Sequence, residues 1–393
     1  MTPLASSADI ADIAAAARES GRLGIDTEFM GEGRYQALLC LVQVAVQRGG
    51  ELVVAVIDPL DDDVDPSPLA EALADPGIEL ILHAARQDVA LLKRTWNTEV
   101  RGVFDTQLAA GFAGLRAQLG YEALISELLG VRLRKSASFT RWDARPLSDE
   151  QIDYAREDVL HLLQVADALQ KRLGDRGRLE WAREECRALE EVSDEREVDN
   201  VFGRLPRING LDGKVRAVAR ELVAWREDTA RTADRPASTV LNDAALVEIA
   251  RRRPGDSKAL GQIRGVSEPT LRRRGAGLLD AVARGREQPP IPPDGQRPPP
   301  PDAADAPLIA LGEALVRTRA MESELAYELI AARADLERII RAQRDGLPEP
   351  ETRTLQGWRR ELVGEELLEL LAGRRSLRVG ADRAIEITEP PAS

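Results

Sequence analysis

The sequence predicts a mixed α/β domain, a sheet flanked by helices, followed by all-helical domains. Three observations lead there. The first half alternates short Leu- and Val-rich runs with helix-like segments, the second half shows helical periodicity alone, and a proline-rich stretch divides the helical half. At 393 residues the chain is also too long for a single core.

The elements follow in order. "GRLGIDTEF", "ALLCLVQVAV" and "ELVVAVID" read as three strands, and the Gly pair of "QRGG" suits a hairpin turn, so the three should run antiparallel. "PSPLAEALADP" then reads as a helix, "IELILHAA" as a strand, "DVALLKRTW" as a helix and "VRGVFD" as a strand. From "TQLAAGFAG" onward helices dominate, through "YEALISELLG" and one long run, "SDEQIDYAREDVLHLLQVADALQKRL". This first domain is placed at residues 1–204, its last part a helical extension. An all-helical domain follows at 205–288, starting with "KVRAVARELVAWREDTARTAD". Residues 289–306, "EQPPIPPDGQRPPPPDAADAP" and its surroundings, hold too much proline for a core and read as an extended linker. Residues 307–386 read as helical again, through "SLRV", and as a second, diverged copy of the middle domain.

Composition narrows the function classes. The net charge of −13 argues against a generic nucleic-acid binder. The start of the chain lacks the basic-then-apolar pattern of a secretory signal, and no run approaches the roughly 18 apolar residues of a membrane span. Cys40 and Cys186 form no disulfide or zinc pattern. The expectation is a cytoplasmic protein with reduced thiols and no membrane partner.

Four acids stand out. Asp26 and Glu28 end the first strand two residues apart, so they share one face. Asp88 lies just past a later strand, entering a helix. Asp158 lies in a helix with Tyr154 one turn before it, on the same side. Taken singly, each has a structural account: solvated edge charges, a helix N-terminal charge, an exposed helix carboxylate.

Together the motifs resemble the DEDD family of 3′→5′ exonucleases, which have a ribonuclease H-like fold. "DTEF" resembles the first motif, the Asp of "HAARQDVALL" the second and "YAREDVLHLL" the third. "SASFTRWDARPLSDEQIDYAREDVLHLL" resembles the segment typical of the ribonuclease D family, and the middle region resembles the HRDC domain. Relatives that use a third-motif histidine carry it where this chain has Asp153, so Tyr154 marks the tyrosine subclass. The resemblance implies that Asp26, Glu28, Asp88 and Asp158 hold two divalent ions, Mg2+ or Mn2+, and that Tyr154 orients the attacking water. Such ions prefer carboxylate oxygens, and a pair can both activate water and stabilise a leaving oxyanion. The implied activity is 3′→5′ exoribonuclease action on RNA 3′ ends, transfer-RNA precursors among them, releasing nucleoside 5′-monophosphates. DNA as substrate remains open, as does a non-catalytic RNA-binding protein on the same fold. No GxxxxGK[ST] occurs, so no helicase motor accompanies the HRDC-like region.

Other residues rank lower. His83 and His161 are the only histidines; His161, three residues after Asp158, reads as a core histidine, with support of the site as the alternative, and Asp105 as the cap of the following helix or a residue that shapes the site. Gln43, on the strand beside Asp26, and Phe29, next to Glu28, are candidate substrate contacts; Met30 shares Phe29's position beside the acids. Trp142 and Arg145 read as structural parts of the loop before the last acid. Charge is segregated: residues 205–288 hold 17 Lys and Arg against 11 Asp and Glu, or +6. Arg251, Arg252 and Arg253, and Arg272, Arg273 and Arg274, are therefore candidate phosphate contacts, the competing reading being a solvated helical surface.

Overall fold

In a computed structural model, residues 4–116, 118–133, 141–293, 302–381 and 383–389 are described. The chain opens with α1 (Ser7–Ser20), a helix that strand-seeking patterns pass over. Its signal is local: Asp9 N–H donates to Ser6 Oγ at 3.3 Å while Ser6 N–H donates to Asp9 at 2.8 Å, a reciprocal cap. Ile10, Ile13, Ala14 and Ala17 are its buried side.

Strands β1 (Arg22–Met30), β2 (Leu38–Arg48) and β3 (Glu51–Ile57) form an antiparallel meander. Gly49 and Gly50 close the β2–β3 hairpin with φ of +60° and +86°, values that favour glycine. Helix α2 (Ser67–Ala74) leads to β4 (Glu79–Leu82), and α3 (Arg86–Trp96) to β5 (Val103–Asp105). Both strands join parallel to β1, giving the order β3-β2-β1-β4-β5. Parallel neighbours need such crossovers, so the mixed sheet follows from where helices interrupt the strands.

Helices α1, α2 and α3 share one apolar core with one face of this sheet. The other face carries α4 (Thr106–Phe112), α5 (Tyr121–Leu129), α6 (Asp149–Leu160) and α7 (Leu162–Asp175). The single long helix expected over the last two breaks at His161, whose φ and ψ of −109° and 0° leave the helical range. Helix α8 (Leu179–Glu190) ends the extension, and α9 (Val198–Gly203) already belongs to the next unit, because Phe202 lies in that unit's core; the expected boundary at 204 falls too late.

The middle domain contains α10 (Gly213–Thr232), α11 (Ala237–Val240), α12 (Asp243–Arg252), α13 (Ser257–Gly261) and α14 (Glu268–Glu287), around a core that includes Leu222, Leu246, Ile249 and Leu278. The start of the proline-rich stretch is docked, with Ile291 N–H donating to Gly213 C=O at 3.0 Å; residues 294–301 lie outside the described residues. The terminal unit holds α15 (Asp305–Glu322), α16 (Tyr327–Ile330), α17 (Arg333–Arg344), α18 (Gly357–Arg359) and α19 (Glu365–Leu371), the last two joined through a π turn. One expectation fails here. "SLRV" is not helical but forms β6 (Ser376–Val379), paired with β7 (Ile385–Thr388). Ser376, Leu377, Ile385, Ile387 and Thr388 suit an extended pleated pair, and Leu377 and Ile387 pack on the terminal core.

The terminal unit shares its apolar core with the sheet domain. Trp358 is the joint: it meets Phe112 edge-on at 5.0 Å between ring centroids and stacks on Trp181 at 5.3 Å. Beside it, Arg359 pairs with Glu185 at 2.6 Å. Trp358→Ala should therefore destabilise the protein by about 3–5 kcal/mol, as loss of a buried aromatic does. Denaturant unfolding checks this, and an unchanged midpoint would remove Trp358 as the anchor.

Candidate active site

Asp26 and Glu28 project from the face of β1 that α6 and α7 cover. Gly24, two residues earlier on that face, has no Cβ because one built there would sit 3.4 Å from both Ala45 Cβ and Leu162 Cβ. Helix α7 thus lies close against the strand. At Glu28–Phe29 the β1–β2 register shifts, so Leu41 and Leu39 become consecutive partners and Cys40 is left over.

Helix α6 supplies Tyr154 and Asp158 from one side. Ser148 and Gln151 cap its start reciprocally, fixing where the helical phase begins. The loop before it is tied down by Arg145, which donates to Asp58 at 2.5 and 2.7 Å, to Cys40 C=O at 2.9 Å and to Trp142 C=O at 2.7 Å. Trp142 in turn lies 5.9 Å from the Tyr154 ring, so both are supports of the site. Asp88 enters from the first turn of α3 and is 8% exposed. Thr27 lies between Asp26 and Glu28 but points to the opposite face, where its hydroxyl donates to Asp88. The three sources of acid thus converge where β1 ends.

The electrostatics record that convergence. Burial, then the charges of Asp88, Asp158 and Glu28, hold the Asp26 carboxyl well above the usual range. Glu28 is pushed up to about 8 by burial and by Asp158 and Asp88. Asp158 rises to about 7, burial first and Glu157 second, opposed by the hydrogen bond from Tyr154. Asp88 rises to about 6, burial outweighing the Thr27 bond. The Tyr154 phenol, hydrogen-bonded to Asp158, is pushed far up by burial and by Asp158, Glu28 and Asp26. These are acids that share one low-dielectric place without a positive side chain among the causes of their shifts.

An all-oxygen, strongly anionic donor set of this kind fits a hard divalent cation such as Mg2+ or Mn2+. Among the described residues no three acid, histidine or cysteine side chains already stand at ligating spacing; the acids lie within electrostatic reach of one another instead.

The lower-ranked residues separate. Gln43 is fully buried opposite Asp26 on β2, away from the surface a substrate would meet; among the described residues its side chain finds no hydrogen-bond partner. Phe29 is half-buried against the sheet-domain core, and Met30 packs near Tyr154. His83 is half-buried beside Thr106 at 3.0 Å, and His161 sits in the helix break beside Gln164 at 3.1 Å, so neither is a core histidine. Asp105 caps α4. Of the arginines, Arg274 is turned inward onto Val240 C=O at 3.0 Å, Arg252 pairs with Glu248 at 2.6 Å, and Arg253 ends α12 half-buried with φ +48°. Arg251, Arg272 and Arg273 are exposed. Two contributors escape a reading of the sequence. Thr27 is visible only once strand faces are assigned, and Tyr121, 5.5 Å from the His83 ring and near Asp158 and Asp26, belongs to no motif.

Residues 1–174 match the 3′-5′ exonuclease family and residues 215–282 the HRDC domain family. Ribonuclease D of Gluconacetobacter diazotrophicus is 36% identical over 384 residues, covering 96% of this chain and 95% of that protein. Ribonuclease D of Granulibacter bethesdensis is 36% identical over 398 residues, covering 98% and 96%. The chain belongs to the ribonuclease D family. It is a 3′→5′ exoribonuclease with an HRDC domain. The crystal structure of Escherichia coli RNase D, described as an exoribonuclease involved in structured RNA processing, superposes with a TM-score of 0.79 at 27% identity, covering 94% of this chain and 98% of that one. Membership disfavours the non-catalytic reading. Among the described residues no helix is long and apolar enough to cross a membrane.

Clustered acids give this ribonuclease D family member a stability that depends on pH. Each carboxyl takes up its proton more readily folded than unfolded. The resulting stabilisation is full below about pH 4 and is lost as pH rises through about 6 for Asp88, 7 for Asp158 and 8 for Glu28. With chelator present, the melting temperature should fall between about pH 5 and 8.5, and Asp26→Asn should raise it at the upper end by several degrees. A melting temperature indifferent to both changes would mean the acids are not crowded.

Proposed function

We propose that this exoribonuclease trims the 3′ ends of transfer-RNA precursors, with two divalent cations, Mg2+ or Mn2+, held by Asp26, Glu28, Asp88 and Asp158. The observation that carries the reading is the gathering, within electrostatic reach, of buried Asp88 and half-buried Asp26, Glu28 and Asp158 from β1, α3 and α6, with Tyr154 bonded to one of them. When bound, such ions supply an activated water and stabilise the leaving oxygen, so that nucleoside 5′-monophosphates are released. The chain's own groups do the positioning. Tyr154 stays un-ionised and donates to Asp158, leaving its oxygen lone pairs to accept from a water. Phe29, half-buried and next to Glu28 in the chain, is the candidate contact for the terminal base in this reading.

The middle domain holds the RNA by phosphates in this reading, with Arg251, Arg272 and Arg273 reaching them. Support comes from the +6 charge of residues 205–288 and from the exposure of these three side chains. Residues 307–386 act as a second, diverged HRDC-like unit. In both units a long helix, a four-residue helix and a medium helix follow in the same order, and Val240, Leu246 and Ile249 have buried counterparts in Ile330, Leu336 and Ile339. The reduced state of the buried Cys40 and Cys186 suits the cytoplasm, where RNA precursors are made.

End-labelled RNA and DNA, incubated with and without Mg2+ or Mn2+, test the assignment. Asp26→Ala and Asp158→Ala should each lower turnover by several orders of magnitude with the fold intact, and near-parental rates in either would remove the site. For Tyr154→Phe a large loss of turnover is expected with RNA affinity little changed; an equally fast variant would make the ring a packing residue only. Neutralising Arg251, Arg272 and Arg273 should reduce the salt slope of log K for single-stranded RNA by about 0.7 for each phosphate left without its arginine, alike across sequences. An unmoved slope would make these arginines a solvated surface.

A further inference from the structure

Asp105 does more than a helix cap requires. It ends β5 with 3% exposure, and its two oxygens accept four backbone N–H groups. Two are those a cap needs: Gln107 at 2.7 Å and Leu108 at 3.2 Å, both to Oδ1. The other two belong to a different segment, the turn between β4 and α3. Ala84 N–H donates to Oδ1 at 3.1 Å and Ala85 N–H to Oδ2 at 2.8 Å.

That turn needs holding. Ala84 has φ +58°, a left-handed conformation that a residue with a Cβ keeps only where its surroundings enforce it. Helix α3 has no side-chain cap of its own, because Ala85 stands at the capping position. The neighbouring Thr106 adds a second clamp: its hydroxyl donates to Leu82 C=O at 2.9 Å and lies 3.0 Å from His83 Nδ1. The residues 82–85 are thus fastened one after another by Asp105 and Thr106, and Asp88 follows three residues later.

We propose that Asp105 is a positioning residue for the reaction, locking the β4–α3 turn so that the first turn of α3 aims Asp88 at Asp26 and Glu28. The proposal rests on the reading of Asp88 as a cation ligand. Asp105 itself touches neither cation nor substrate. Its effect passes through Ala84 and Ala85, and a ligand misplaced by about 1 Å is enough to lose roughly 100-fold in rate.

Asp105→Asn tests this in the full chain. An Asn can keep its carbonyl oxygen on the α4 cap but places an NH2 where Oδ2 received Ala85 N–H. Calorimetric titration with Mn2+ alone should show affinity weakened by about 10–100-fold, with turnover reduced alongside, as for groups that support ligands. RNA affinity in chelator should stay level. Adding Ala84→Gly should restore part of the Mn2+ affinity, since glycine adopts positive φ without a clamp. Should Asp105→Asn fold poorly, Thr106→Val carries the same test from the second clamp, with a smaller loss of Mn2+ affinity expected. Parental Mn2+ affinity in these variants, or no rescue by Ala84→Gly, would reduce Asp105 to a helix cap. Asp88→Asn is the control on the underlying reading: if it binds Mn2+ as the parent does, Asp88 is no ligand, whatever Asp105 does.

Discussion

Mutual repulsion among Asp26, Glu28, Asp88 and Asp158 is the constraint on which the rest of the sheet domain depends. A folding chain gains nothing by gathering four acids out of full contact with water; burial and one another's charge push their ionisation up. The acids stay together because each belongs to an element fixed for other reasons. β1 is the central strand, paired on both sides. Helix α7 closes on it over Gly24, and α6 is pinned through the Arg145–Asp58 pair and its own reciprocal cap. The surrounding packing supplies the stability that the acids oppose, as at other functional sites.

The sheet topology explains why these elements converge. Asp26, Glu28 and Asp88 lie at the carboxyl ends of the neighbouring parallel strands β1 and β4 or just past them, so a short reach brings them together. Helix α6 then crosses the β1–β3 meander and delivers Tyr154 and Asp158 from above. Position along the chain is irrelevant to this; what matters is that strand ends and a crossing helix meet. The residues that hold each element, Thr27, Arg145 and Asp105, are polar and bury their bonds in backbone or partner carboxyls, which fixes direction as apolar packing cannot.

Much of this was legible because periodicity and chemistry coincided. Strand alternation alone set Asp26 and Glu28 side by side, and helical spacing set Tyr154 over Asp158. The hairpin glycines and the proline-rich stretch announced themselves. What escaped was non-local or short. Helix α1 rests on alanines and a cap, with little apolar contrast between its faces, so a scan for strands passes it. The strands of the terminal hairpin have four residues each, too few for a period to show. Gln43 looked like a surface neighbour of Asp26 because register says which residues are opposite, not how deeply the covering helix buries them. In sequence the arginines of each triplet are equivalents, yet Arg274 is turned onto Val240 C=O and the exposed Arg252 is already paired with Glu248; only the folded helix distinguishes them.

Charge segregation then acquires a physical reason. The excess of Lys and Arg over Asp and Glu lies in residues 205–288, apart from the clustered acids. The +6 helical domain is not tethered at random: the loop between β1 and β2, from the fourth residue beyond Met30, is fastened to it. Arg34 pairs with Asp234 at 2.7 Å, Tyr35 N–H donates to Asp234 at 3.1 Å, and the Tyr35 hydroxyl donates to the buried Glu227 at 3.2 Å. Arg196, from the helical extension, holds the same glutamate at 2.7 Å. The basic domain and the clustered acids are thereby held in one frame, whose joint begins within a few residues of Asp26 and Glu28.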